Sequence, residues 1–234
     1  MTILQRFVLL CLCLLLACCA KPVETPMVSL DPKEIAKLDV AKTTDQLVVV
    51  GAKGGSKAVV FFFEKEGDTW KKVFQTDGFV GKNGIGKTME GDGKTPTGVF
   101  SFTKAFGIAK NPGSIMPYTQ VNSSHYWVSD VNSKYYNQFV SIKDTGPTFS
   151  TEKSEHLIDY KAYQYCLNIG YNSENKPNLG SAIFLHCFSD KPYTLGCVTV
   201  DQSIMELLLR RCKVGSKIYI DTFDSIKSAC ANAL

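Results

Sequence analysis

The chain has 234 residues, 44% of them hydrophobic and 21% charged, with nine cysteines and a formal net charge of +4. That length buries a full core and suits one globular domain with short appendages, and the ordinary composition excludes a disordered chain or a multi-span membrane protein. Lysines are spread among acids, which argues against nucleic acid as a partner because duplex binding needs a concentrated basic face. The sequence has no internal repeat and no long low-complexity tract.

Arg6 precedes an apolar run over residues 7–16, of signal-peptide length and too short to span a bilayer comfortably. Residues 1–17 are therefore expected to be an export signal. The run closes on Leu15-Leu16-Ala17-Cys18, which resembles the lipobox of bacterial lipoproteins. The resemblance implies cleavage before Cys18 and acylation of that cysteine, giving a membrane-anchored protein of the cell envelope that faces the periplasm. Two or more acyl chains anchor firmly, since each buried CH₂ adds about 0.8 kcal/mol. The alternative is ordinary cleavage after Ala20 and a soluble secreted protein. Both readings export the chain.

Export sets how the thiols are read. With the signal removed and Cys18 lipidated, Cys19, Cys166, Cys187, Cys197, Cys212 and Cys230 remain. An even set in an oxidising compartment suggests disulfides, but the absence of a CxxC pair or compact spacing argues against a dense disulfide scaffold.

Residues 18–45 read as a tether, starting from the Pro-containing stretch after Lys21. Strand signals begin at Gln46, with β-branched and aromatic runs at 47–50, 58–63 and 70–74 punctuated by Gly, Asp and Asn. Residues 108–150 are loop-rich and aromatic, with Tyr118, Tyr126, Trp127, Tyr135 and Tyr136. A helix is expected near 152–163, then strands at 166–171 and 181–186. The pattern at 204–211 predicts a helix capped by Asp201 or Ser203, with Ser203 and Glu206 fitting a capping box and Gly215 ending the element. A last strand is expected at 216–220, so one β-rich domain occupies 46–222 and a fraying tail 223–234.

Residues 81–88 match the phosphate-loop pattern GxxxxGK[ST] letter for letter. A phosphate cradle needs a helix opening at that Lys-Thr pair, so that backbone amides and the helix terminus point at the phosphates. The chain continues instead with Met89-Glu90-Gly91-Asp92-Gly93-Lys94-Thr95-Pro96-Thr97-Gly98, where three Gly and a Pro prohibit a helix. The segment reads as a Gly-rich turn, with no nucleotide bound and Lys87 dispensable for activity.

The chemistry is expected in the last third. His186 ends an apolar run, and a polar loop leads to Tyr193-Thr194-Leu195-Gly196-Cys197-Val198. A cysteine becomes a strong nucleophile once a nearby imidazole takes its proton and stabilises the thiolate. Gly196 allows a tight turn, leaving its own N–H and that of Cys197 to form an oxyanion hole. Cys187 is the rival nucleophile, but strand alternation should turn it away from the face His186 uses. The residue types alone also admit a buried Cys and a hydrogen-bonded core His, a Cys187–Cys197 disulfide, or a zinc site from His186, Cys187 and Cys197.

The stretch 180–186 with Thr194-Leu195-Gly196-Cys197-Val198 resembles the active-site signature of the YkuD-type L,D-transpeptidases, a His followed by Ser/Thr-x-Gly-Cys. Glu90-Gly91-Asp92-Gly93-Lys94-Thr95-Pro96, Trp127-Val128-Ser129-Asp130 with Tyr136-Asn137, and Tyr171-Asn172 are similar to one branch of that family, and together the likeness covers roughly 46–221. The resemblance implies a mainly β fold with few helices, a curved β-sandwich catalytic domain. It implies Cys197 as nucleophile, His186 as general base and acid, and Thr194 and Thr199 as substrate contacts. The implied partners are peptidoglycan stem peptides, with release of a D-amino acid through a thioester and no metal or organic cofactor. Aromatic residues from 118–136 are expected to wall the cleft.

Two positions depart from the family pattern. Leu195 and Thr199 stand where many members have His and Arg, so backbone carbonyls are expected to hold His186, and a cation for substrate carboxylates is missing. An L,D-carboxypeptidase or amidase would use the same site with another acceptor. A sortase-like transpeptidase and a non-catalytic wall-binding lipoprotein are the remaining readings.

Overall fold

The computed structural model describes residues 28–232, so the expected signal and Cys18 lie outside the described residues. The short helix α1 (Pro32–Ile35) is capped by Asp31, whose side chain accepts the Lys33 amide. Strands β1 (Gln46–Ala52), β2 (Lys57–Glu66) and β3 (Thr69–Phe79) come after it as antiparallel neighbours. Next come β4 (Gly98–Gly107), β5 (Tyr118–Gln120), β6 (His125–Trp127), β7 (Phe139–Ser141), α2 (Ile142–Thr145) and β8 (Glu155–His156). The chain ends with β9 (Cys166–Ile169), β10 (Phe184–Cys187), β11 (Val198–Val200), α3 (Gln202–Arg211), β12 (Lys217–Thr222) and α4 (Phe223–Asn232).

One sheet runs β12-β1-β2-β3-β11-β10-β9-β4-β5, and β12 also pairs with β4, so all its strands except β5 close into a ring. Closure depends on the length of β4: residues 98–101 pair with β12, while 102–106 pair with β9. A separate sheet, β7-β6-β8, stands beside it. The protein is mainly β with four helices among the described residues, a barrel-like sandwich, as the curved β-sandwich expectation required.

The apolar runs of β1 and β2 are continuous, not alternating, which demands cover on both faces. Val48, Val50, Val60 and Phe62 pack inward with Leu167, Leu185, Val198 and Val200, against Met205, Leu208 and Leu209 of α3. Leu47, Val49, Val59, Phe61 and Phe63 point the other way, onto Leu30, Ile35, Leu38 and Ala41 and onto Ile226 and Cys230 of α4. Residues 28–45 are therefore packed structure where a tether was expected, and the expected fraying tail is a helix that covers the outer face.

Three local expectations also change. Residues 157–164 form two short 3₁₀ turns separated at the extended Tyr160 in place of a helix. Asp201 caps α3 by accepting the Ser203 amide, and Glu206 reaches Arg210 at 3.2 Å, so no Ser203–Glu206 box forms. The strand expected from Ser181 begins at Phe184, because Ala182 has a φ of 54°, outside strand geometry.

Candidate active site

β10 sorts its side chains by alternation. Leu185 and Cys187 enter the inner core, and Cys187 Sγ lies 3.8 Å from the Tyr165 carbonyl. Phe184 and His186 face the opposite side, where the Tyr163 ring stands edge-on to both, at 5.5 and 5.0 Å. The parallel ladder sets Leu185 beside Val198 and His186 beside Thr199, which brings Cys197 next to Phe184. The Phe184 amide donates to Cys197 Sγ at 3.3 Å, and the thiol donates to the Ala182 carbonyl, also at 3.3 Å.

His186 Nδ1 lies 2.8 Å from the Cys187 carbonyl. A carbonyl can only accept, so Nδ1 carries the proton and Nε2 is left basic. Backbone thus orients the imidazole. Burial lowers the His186 pKa to about 4 against the opposing pull of the Cys187 and Ala162 carbonyls, so the ring is neutral near pH 7. Burial, helped by Glu155, raises the Cys197 pKa to about 12, opposed by the Phe184 amide and Lys87. Near neutral pH the site therefore holds a protonated thiol and a neutral imidazole. No hydrogen bond joins Cys197 to His186 among the described residues; both line one cleft of ≈ 510 Å³.

The turn before Cys197 requires glycine. Gly196 has φ 155°, and a Cβ there would fall 2.9 Å from Ile183 Cδ1 and 3.1 Å from the Lys94 carbonyl oxygen. The Gly196 amide donates to Thr194 Oγ1 at 3.0 Å, and that hydroxyl donates to the Cys197 carbonyl at 2.7 Å. Thr95 Oγ1 donates to the same carbonyl at 3.1 Å. Thr194 therefore braces the turn before Cys197 while also lining the cleft. Of the two amides expected to form an oxyanion hole, that of Gly196 donates to Thr194 Oγ1 and that of Cys197 has no acceptor among the described residues. Thr199 is 2% exposed, lies between His186 and Phe79 in the sheet, and is not among the cleft residues expected to meet substrate.

Residues 45–220 match the family model of YkuD, the L,D-transpeptidase catalytic domain. The chain belongs to the YkuD family. Among solved structures it is similar to Bdellovibrio bacteriovorus Bd1075, with 16% identity over 83% of this chain and 56% of that one and a TM-score of 0.42. It is likewise similar to the helical cell shape determining protein Pgp2 from Campylobacter jejuni, at 14% identity over 83% and 56% with a TM-score of 0.42. The Enterococcus faecium L,D-transpeptidase matches at 14% identity over 76% and 50% with a TM-score of 0.35. The chain spans about half the length of these solved chains. A comparison with curated protein sequences gave no significant match.

The YkuD signature residues are assembled by groups that single-residue reasoning missed. Asn137, at φ 58°, accepts from Trp127 Nε1 at 3.0 Å and from the Ala182 amide at 3.2 Å, and donates to the Asn172 and Tyr171 carbonyls at 3.0 and 3.3 Å. It ties together the Trp127, Tyr136-Asn137 and Tyr171-Asn172 stretches and fixes the residue whose carbonyl receives the thiol. Ser181 Oγ lies 2.8 Å from both Glu90 Oε2 and Ser129 Oγ, and Tyr136 also donates to Glu90. Glu155 accepts from Tyr163 at 2.8 Å, and burial raises its pKa to about 7, against that hydrogen bond.

Of the aromatic segment expected to wall the cleft, only Ser129 from 118–136 lines it; the cleft rings are Tyr160, Tyr163 and Tyr193. No helix opens after Thr88, as the rejection of a phosphate loop requires. Lys87, however, is a buried cleft residue, which removes the ground for treating it as dispensable.

Proposed function

We propose that this chain is a cysteine L,D-transpeptidase acting on peptidoglycan stem peptides. One observation carries the reading: Cys197 and a neutral, carbonyl-oriented His186 open onto the same cleft beside an unengaged Cys197 amide. The thiol swings from the Ala182 carbonyl toward His186 Nε2, which removes its proton as sulfur attacks the carbonyl of an L-centre to D-residue bond. The Cys197 N–H stabilises the oxyanion. Collapse breaks the C–N bond, His186 returns the proton to the leaving amine, and a D-amino acid departs from the thioester. An acceptor amine then attacks the thioester and passes a proton through His186 back to the Cys197 sulfur.

Incubation of the purified full-length chain with tetrapeptide muropeptides, read by mass spectrometry, tests this. Cross-linked dimers are expected; tripeptides alone would make water the acceptor and the enzyme an L,D-carboxypeptidase, and unchanged substrate would leave a wall-binding role. We also propose that Cys18 carries a lipid that holds the enzyme in the envelope. Detergent partitioning of wild type and Cys18→Ala tests the anchor, and equal recovery in the aqueous phase refutes it.

A further inference from the structure

The family pattern leaves the site without its usual cation two residues after the cysteine, since Thr199 stands there, buried beside His186 in the sheet. A different segment puts one in the cleft. The Lys87 side chain is 2% exposed, and its Nζ donates to Asp92 Oδ1 at 2.9 Å. An ammonium carries three protons, and Asp92 is its hydrogen-bond acceptor among the described residues.

Two glycines make the space for this side chain. A Cβ at Gly180 would fall 2.4 Å from Lys87 Cε, and one at Gly196 would come within 3.7 Å of Lys87 Nζ. Gly196 immediately precedes Cys197, so the ammonium stands beside the backbone that carries the nucleophile and its amide. Asp92 is itself fixed, accepting the Thr88, Met89 and Lys94 amides at 2.8, 3.2 and 3.0 Å. Burial alone would raise its pKa, but Lys87 and these amides hold it at about 2, so it remains a carboxylate through the neutral range. The Gly-Asp-Gly turn is thus a socket whose product is one oriented cation.

We propose that Lys87 is a catalytic residue of this site, its ammonium stabilising the negative charge that develops on Cys197 and on the tetrahedral intermediate, with Asp92 as its positioning residue. The inference rests on the acyl-transfer reading. Its chemistry is that of a fixed positive charge buried in the cleft wall, acting on a thiol that burial otherwise keeps neutral. The neighbouring carboxylates are otherwise engaged, Glu90 with Tyr136 and Ser181 and Glu155 with Tyr163.

The test reads local potential and needs no turnover. Cys197 in the full-length chain is alkylated with neutral iodoacetamide and with anionic iodoacetate, and the adduct is mapped by mass. The ratio of the two rates cancels thiolate fraction and intrinsic nucleophilicity and leaves the field at the sulfur. In the double variant Lys87→Met/Asp92→Asn, which avoids a stranded carboxylate, the iodoacetate-to-iodoacetamide ratio is expected to fall roughly two- to threefold, since the lost cation lies nearer Cys197 than the lost counter-charge and the two partly cancel. Asp92→Asn alone keeps the cation and loses its counter-charge, so its ratio should rise. An unchanged ratio in the double variant overturns the proposal. If that variant does not fold, a ratio that stays level or falls in Asp92→Asn overturns it instead. Failure of wild type on muropeptides would sink the acyl-transfer reading without moving this ratio.

Discussion

Asn137 offers a sharp test of how the site is held. Its side chain satisfies two donors, Trp127 Nε1 and the Ala182 amide, and two carbonyls, those of Tyr171 and Asn172. Trp127 is only 4% exposed, so its indole N–H finds no water when the acceptor goes. Each buried donor left unpaired costs about 1–3 kcal/mol; with Asn137 partly buried and water reaching the carbonyls, Asn137→Gly should lose roughly 2–4 kcal/mol. Asn137→Ala loses the same bonds and must also hold a left-handed φ of 58°, which adds about 1 kcal/mol or more for a residue with a Cβ. Urea unfolding of both variants measures the two losses, and a chain of this size should show a fall in Tm on the order of 10 °C. Turnover should fall too, since Ala182 sits at a positive φ and its carbonyl leaves the thiol once the amide anchor is gone. Losses below about 1 kcal/mol in both variants, or a glycine variant less stable than the alanine one, would refute the clamp.

The same contacts set other outcomes. The His186 pKa lies below its unfolded value, 6.5 against about 4, so the unfolded state binds more protons between these values and stability rises with pH across that window. The full contribution, about 3 kcal/mol, is present above pH 6.5 and lost as pH falls toward 4; a stability profile in His186→Gln that keeps this slope would assign it elsewhere. His186→Ala should cut turnover by about 10²–10⁴-fold, the range for a lost general base. Cys197→Ser should abolish turnover, whereas Cys187→Ser, altered on the inner face of β10, should keep it; an acyl adduct mapped to Cys187 would reverse the assignment. Removing residues 223–232 uncovers the outer apolar face of β1 and β2, so the truncated chain should be several kcal/mol less stable and bind a hydrophobic dye, and a fully stable truncation would contradict the packing of α4.

Much of this was legible in the chain. The strands over 46–79 are written in β-branched and aromatic runs, and their continuity already implied cover on both faces. Their cover was not legible, because each covering segment is short: α1 is a single turn, and α4 carries its apolar face over only ten residues, too few for a distinct period. Residues 157–164 mislead for the opposite reason: their composition permits a helix, but Tyr163 is drawn into the cluster around Phe184 and the chain breaks at Tyr160.

At the site, the sequence by itself determined the actors. A His, a short loop and Gly-Cys mark the candidate residues and a tight turn, and the period-two alternation of a strand was enough to separate Cys187 from His186. Only the tertiary structure decided their state. Whether a thiol is neutral or ionised depends on how much water and charge surround it, and that surrounding comes from segments far apart in the chain. The Ala182 carbonyl, set by Asn137, accepts a hydrogen bond from the Cys197 thiol; the Cys187 carbonyl sets the imidazole tautomer; and Asp92 holds the Lys87 ammonium near the Gly196 turn. Hydrogen-bond geometry and desolvation act through space, so the positions of Lys87 beside Gly196 and of Asn137 on the Ala182 amide emerged only in the folded chain.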